Sequence, residues 1–203
     1  MKNFILPLTV ALTALHTAQG AILTGPIANP GNGHTYYLLT EDTWQSSEAQ
    51  AVSLGGHLAT INDQAEQDWV FSSFGSFSGV SRSLWIGLTD QASEGNFTWI
   101  SGEPVLYTHW VAFQPDNAFG NENYVHMINS ANEFGHPGGF WNDLASPNTL
   151  FASFNPLNGV VEVVPEPASA ALTLVGLLGL LGFRGQANRG FGSTRSSPSA
   201  GTA

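Results

Sequence analysis

An α+β fold is predicted for this 203-residue chain from three observations. Two capped helix signals lie close together in its first half. Short β-prone runs follow them instead of alternating with further helices, which is the segregated pattern of an α+β domain. Between Gly102 and Pro137 the chain is rich in Pro, Asn, Gly and Asp. A loop of that length inside one domain is ordinarily functional or disordered.

The elements are expected in the following order. Residues 21–33 are rich in Gly, Pro and Asn and read as a linker. His34-Thr35-Tyr36-Tyr37-Leu38-Leu39 reads as a first strand, β-prone with apolar residues on both faces. Asp42 is a candidate cap, with Gln45 three residues on. Trp44, Ala51, Val52 and Leu54 then carry a helix that Gly55-Gly56 stops. His57–Ile61 is a short strand, after which Asn62 or Asp63 caps a second helix through Ala65, Trp69, Val70 and Phe74. Leu84–Leu88, Phe97–Ile100, Asn123–Ile128, Phe140-Trp141 and Gly159–Val163 are the remaining strand signals.

Charge narrows the class of function. The chain carries 15 acidic and 5 basic residues. Between residues 21 and 163 there are 14 Asp/Glu and a single basic residue, Arg82, a net charge of −13. Such a surface repels phosphate backbones, which excludes nucleic-acid binding as the default, and it attracts divalent cations. Zero cysteines exclude disulfides, zinc–thiolate sites, iron–sulfur clusters and thiol nucleophiles.

Both ends read as addresses. Residues 1–20 combine Lys2, an apolar stretch from Phe4 to Leu15, and small residues at Ala18 and Gly20, the pattern of a cleaved secretory signal peptide. At the other end, Val164-Pro165-Glu166-Pro167 precedes the apolar run Ala168–Phe183, closed by Arg184. As a helix that run spans about 24 Å, short of a hydrocarbon core of roughly 30 Å. A stop-transfer membrane helix and a processed tail both remain open. The string VPEPASAALTLVGLLGLLGFRG resembles the PEP-CTERM sorting signal of Gram-negative bacteria that make exopolysaccharide, with residues 164–184 as the sorting segment. The resemblance implies recognition by an exosortase and delivery to the cell surface or extracellular matrix. Residues 185–203 depart from it, with spread arginines where a tight basic cluster is usual, and read as a disordered tail.

The long loop concentrates oxygen donors: Gln114, Asp116, Asn117, Asn121, Glu122 and Asn123, joined later by Asn142 and Asp143. Carboxylates and amides without cysteine or clustered histidine suit a hard cation, calcium before zinc. The same residues also mark turns, and by composition alone both readings stand. His57, His109, His126 and His136 have no metal-like spacing. No Ser/His/Asp trio and no phosphate-binding Gly-rich loop is present, so an enzyme is not expected. Trp85, Trp99, Trp110 and Trp141 read as core.

GGHLATI (Gly55–Ile61), WIGL (Trp85–Leu88), Gln114-Pro115-Asp116, Glu122 and Trp141-Asn142-Asp143 follow one another as in the C-type lectin-like domain, which residues 34–163 resemble. DTWQSSEAQAVSLGGHLATIND is similar to that family's two-helix entry. The resemblance implies a double-loop fold with two helices and two small antiparallel sheets, here without disulfides. It also implies a principal calcium and sugar site made by Gln114, Asp116, Glu122, Asn142 and Asp143, with a cis peptide before Pro115. In the family two vicinal hydroxyls of the sugar complete the calcium shell. Gln-Pro-Asp is the galactose-type order, so a galactose-type glycan or exopolysaccharide is the expected partner. Asp90 and Glu94 match half of an auxiliary calcium site whose other carboxylates are replaced by Asn117 and Asn123.

Two departures accompany this resemblance. The stacking tryptophan of galactose binders is missing after the triplet, and only Phe119 stands near to replace it. Ala51, Tyr124, Ser146 and Val161 stand where the family has cysteines, a loss of ~2–5 kcal/mol per bridge. The first departure also suits a non-sugar role on the same fold, in adhesion, protein binding or matrix structure.

Overall fold

The computed structural model describes residues 21–129, 138–146 and 157–165. The expected signal peptide, the part of the expected sorting segment beyond Pro165, the expected tail and His136 lie outside them. Among the described residues no helix is long and apolar enough to cross a membrane.

The stretch expected to be a linker forms the first strand, β1 (Ile22–Ala28). Its Gly and Pro content had masked Ile22, Leu23 and Ile27, and the strand follows a bulged register on β2 (Thr35–Glu41). Asn29 builds the connecting turn, its side-chain oxygen accepting the Gly31 N–H at 2.9 Å. Helix α1 (Trp44–Ser53) begins one residue later than expected. Its cap is Thr43, whose hydroxyl accepts the Ser46 N–H at 3.2 Å, in place of Asp42. After the helix the chain turns through Gly55 at φ +85°. Gly56 then passes so close to a later strand that a Cβ there would lie 2.0 Å from the Glu162 carbonyl oxygen. This lets β3 (His57–Leu58) pair with β8 (Leu157–Val163).

Helix α2 (Gln64–Phe74) is capped by Asp63, which accepts the Glu66 N–H at 2.8 Å. The strands β4 (Ser83–Thr89), β5 (Thr98–Trp99), β6 (Tyr124–Met127) and β7 (Trp141–Leu144) follow. They join in the order β1-β2-β8-β4-β6-β7, with β3 on β8 and β5 on β4. The pairings are antiparallel except β4 with β8, and that parallel seam joins the small antiparallel units into one ladder. Every residue of β4 is buried, as its central position requires.

The main core packs Leu38, Ile61, Val70, Phe74, Leu84, Ile86, Leu88, Val125 and Val160 around Trp99 and Trp141. Where cysteines are missing, packing stands instead. Ala51 and Val161 are fully buried in one cluster with Leu39. Tyr124 stacks on Trp44 at 4.8 Å, and the Ser146 hydroxyl accepts the Trp44 N–H at 2.9 Å.

One buried polar network ties the N-terminal hairpin to α2 and β8. The Tyr36 hydroxyl is 2.5 Å from one Glu66 oxygen and 2.9 Å from one Glu162 oxygen. His34 Nδ1 lies 2.5 Å from the same Glu162 oxygen. The remaining oxygens accept the backbone N–H groups of Asn62 and Thr60. Burial pushes the Glu66 carboxyl above the ordinary carboxylate range, although the Tyr36 and Asn62 hydrogen bonds pull it back.

Candidate functional site

Strand β7 organises the long loop. The Val111 N–H donates to the Trp141 carbonyl at 3.0 Å, and the Trp141 N–H donates to that of His109 at 2.8 Å. Gln67 of α2 clamps the other side: its amide donates to the Gly139 carbonyl and accepts the Trp141 indole N–H, both at 2.8 Å. From this anchor the chain makes a turn closed by the Gln114 N–H on the Val111 carbonyl, with Phe113 at φ +72°. The expected cis peptide follows, Gln114-Pro115.

Asp143 then holds the triplet in place. Its two oxygens accept the backbone N–H groups of Asp116 at 3.2 Å and Asn117 at 2.9 Å. Glu122 accepts the Ala118 N–H at 2.8 Å, and its own N–H donates to the Asn117 side chain at 3.0 Å. Asn117 and Phe119 have φ of +45° and +61°. A non-glycine residue in this region costs roughly 1–2 kcal/mol.

Three carboxylates meet here: Asp116, Glu122 and Asp143 each offer an oxygen within 4.8 Å of the others. Glu122 and Asp143 are buried. Burial pushes Glu122 up to about 7, with the Asp143 and Asp116 charges adding to it against the Ala118 hydrogen bond. Asp143 is also raised by burial, against the N–H groups that it accepts. The two other expected ligands, Gln114 and Asn142, stand two residues before Asp116 and one before Asp143. The side-chain oxygen of each is buried with no hydrogen-bond donor. Three crowded carboxylates, with an orphaned amide oxygen on a near sequence neighbour of Asp116 and of Asp143, fit a hard divalent cation, which would neutralise the charges and could take those oxygens as ligands.

The auxiliary pair is contiguous with this site. Asp90 is buried, with one oxygen accepting the Gly95 N–H at 2.8 Å. Glu94, exposed, is raised by desolvation first and then by the Asp90 carboxylate, with which it shares a hydrogen bond, while a second bond to Asn117 opposes this.

The other singled-out side chains are built into the scaffold. His57 meets Glu48 at 2.7 Å. His109 stacks on Phe140 at 4.4 Å, and buried His126 stands edge-on to Trp85. Trp85, Trp99 and Trp141 are buried, and Trp110 packs against Trp141 at 5.9 Å.

Two features had no signal in sequence. Phe113 lacks the Gly or Asn that normally announces a left-handed corner. The cluster His34, Glu66 and Glu162 forms a second group with ligand-type atoms within 4.8 Å, at separations that no motif marks. A cavity of about 370 Å³ lies beside it, with His34, Asn32, Asp63, Glu66 and Trp69 in its wall. Unlike the loop site, it leaves no orphaned oxygen, since each Glu66 and Glu162 oxygen has a hydrogen-bond partner.

Comparison with known proteins agrees with this geometry. The family model described as "Lectin C-type domain" matches residues 40–149. An alpha-N-acetylgalactosamine-specific lectin of Patiria pectinifera is 37% identical over 120 residues, covering 56% of this chain and 68% of its own. Salivary C-type lectin 2 of Aedes albopictus is 35% identical over 89 residues, covering 42% of this chain and 59% of its own. Among solved structures, the C-type lectin CEL-I from Cucumaria echinata superposes with a TM-score of 0.57 at 29% identity, over 68% of this chain and 94% of that one.

Proposed function

The chain belongs to the lectin C-type domain family, and from that premise we propose that it is a calcium-dependent carbohydrate-binding protein of galactose type. The observation that carries the reading is the convergence of the Asp116, Glu122 and Asp143 carboxylates, with buried, donorless oxygens on their near sequence neighbours Gln114 and Asn142. These five residues would hold calcium, which when bound offers open coordination positions to a vicinal diol. The chain's own part is orientation. Asp143 fixes the triplet through two backbone N–H groups. Gln114 precedes Asp116 across Pro115, so an amide that can donate to a sugar hydroxyl stands before a carboxylate that can accept from one, the order linked by resemblance to a galactose-type diol. The similarity to an N-acetylgalactosamine-specific lectin supports the same sugar class. The reading assigns binding with no turnover.

Asp90 and Glu94 would form an auxiliary calcium site, weaker because Asn117 and Asn123 bring no charge. Export through residues 1–20 and sorting by an exosortase through Val164–Arg184 would place the domain on a Gram-negative cell surface or in its exopolysaccharide. Glycan-array binding with and without EGTA tests the central reading. Chelator-sensitive binding to galactose-terminated glycans, lost in Asp143→Ala, supports it, and binding to no glycan overturns it.

One observation favours a second reading, in which the same fold serves adhesion without sugar. The stretch after the triplet, Asn117-Ala118-Phe119, has no tryptophan to stack on a sugar. Binding to a protein partner that survives both Gln114→Ala and Asp116→Ala would select that reading.

A further inference from the structure

Among the described residues four non-glycine residues have positive φ: Ser78, Phe113, Asn117 and Phe119. Three of the four lie within the segment 113–119 that carries the Gln-Pro-Asp triplet. The two phenylalanines are placed alike. Phe113 is the third residue of the turn closed by Gln114 N–H on the Val111 carbonyl, and Phe119 is the third residue of the turn closed by Gly120 N–H on the Asn117 carbonyl. That corner normally takes glycine, because a Cβ is strained there. Both rings are nonetheless turned to solvent, with Phe113 95% exposed. At Phe113 a strained backbone and a bare aromatic ring coincide directly before the candidate ligand Gln114, and neither contributes to packing.

We propose that Phe113 is a specificity-determining residue whose ring packs on the apolar C–H face of a second sugar, so that the site takes an extended glycan in preference to a free monosaccharide. This rests on the carbohydrate-binding reading above. The chemistry is that of two walls and one ring. A pyranose that offers two hydroxyls to an ion has one apolar face left for one aromatic wall. Phe119 and Phe113 leave the triplet at its two ends, so a second wall is used only if the chain of sugars continues past the first. Phe113 therefore sets how far along a glycan the site reads, and the five oxygen donors set which sugar it holds.

The variant Phe113→Gly tests this without endangering the fold, since glycine relaxes the corner and should raise the melting temperature. Calorimetry in calcium should compare methyl galactoside with a panel of galactose-terminated disaccharides. The wild type is expected to prefer at least one disaccharide. Phe113→Gly is expected to lose about tenfold on that disaccharide and to stay within about twofold on the methyl galactoside. Equal affinity of wild type and variant for every disaccharide overturns the inference while leaving the parent reading intact. An equal loss on mono- and disaccharide overturns it as well. No calcium-dependent binding to any sugar overturns both. A Phe113-dependent dimer in sedimentation, absent in Phe113→Gly, assigns the ring to self-association and also overturns it.

Discussion

The Asp143 carboxylate accepts the backbone N–H of Asn117 at 2.9 Å, across 26 residues of chain. It therefore serves as scaffold and candidate ligand at once, and a substitution there has two separable consequences. In Asp143→Asn one oxygen can still accept a backbone N–H, but a charge is lost. The metal-free variant should unfold within a few degrees of the metal-free wild type. Wild type should gain up to about 2.7 kcal/mol at a hundredfold excess of calcium over Kd. The variant should gain nothing, as read by melting temperature against calcium.

A pH dependence is expected from the far side of α2. Burial raises the Glu66 carboxyl above its ordinary value. A group that holds its proton more tightly when folded stabilises the fold below its unfolded pKa, and that contribution is lost as pH rises through the folded value. In EDTA the melting temperature should therefore fall as pH rises from the ordinary carboxylate range. Glu66→Gln should flatten this slope, since the amide oxygen still accepts the Asn62 N–H. An unchanged slope would assign the effect to other carboxyls.

Gly87 lies where β4 passes under β3. A Cβ there would be 2.4 Å from the Leu58 carbonyl oxygen and 3.1 Å from Ile100 Cγ2. The first neighbour is backbone and cannot rotate away. Gly87→Ala should cost about 1–3 kcal/mol in urea unfolding, the range for overpacked core sites.

Gln67→Leu should strip partners from the Trp141 indole N–H and the Gly139 carbonyl together. Each orphaned buried group costs about 1–3 kcal/mol. The near-ultraviolet circular dichroism of the tryptophans should weaken at the same time, and calcium affinity should fall because β7 carries Asn142 and Asp143.

Much of this architecture was legible in the sequence because local chemistry announced it. Asp63 reads as a cap before an apolar-periodic helix, and Gly55-Gly56 reads as its predecessor's stop. The candidate ligand set came from the motif resemblance, since by residue type alone the Asn, Asp and Gln of the long loop read equally well as turn formers. Strand β1 was not, because cis Gly25-Pro26 and the nearby bulge interrupt its alternation. Tyr36, Glu66 and Glu162 could not be joined either. They lie on three elements, and only the sheet order makes them neighbours. Phe113 was invisible for the opposite reason, since its conformation contradicts its own propensity.

The strand order carries a consequence for how the molecule is handled, in the cell or on a chip. Both ends of the domain belong to the same side of the ladder, since β1 pairs with β2 and β2 with β8. The candidate ligands Asn142 and Asp143 are on β7, the opposite edge of the ladder, about 24 Å from β1 at the usual strand spacing. The domain thus has a wrist and a fingertip. It can be held by either end while the oxygen-rich loop stays open to whatever comes to it.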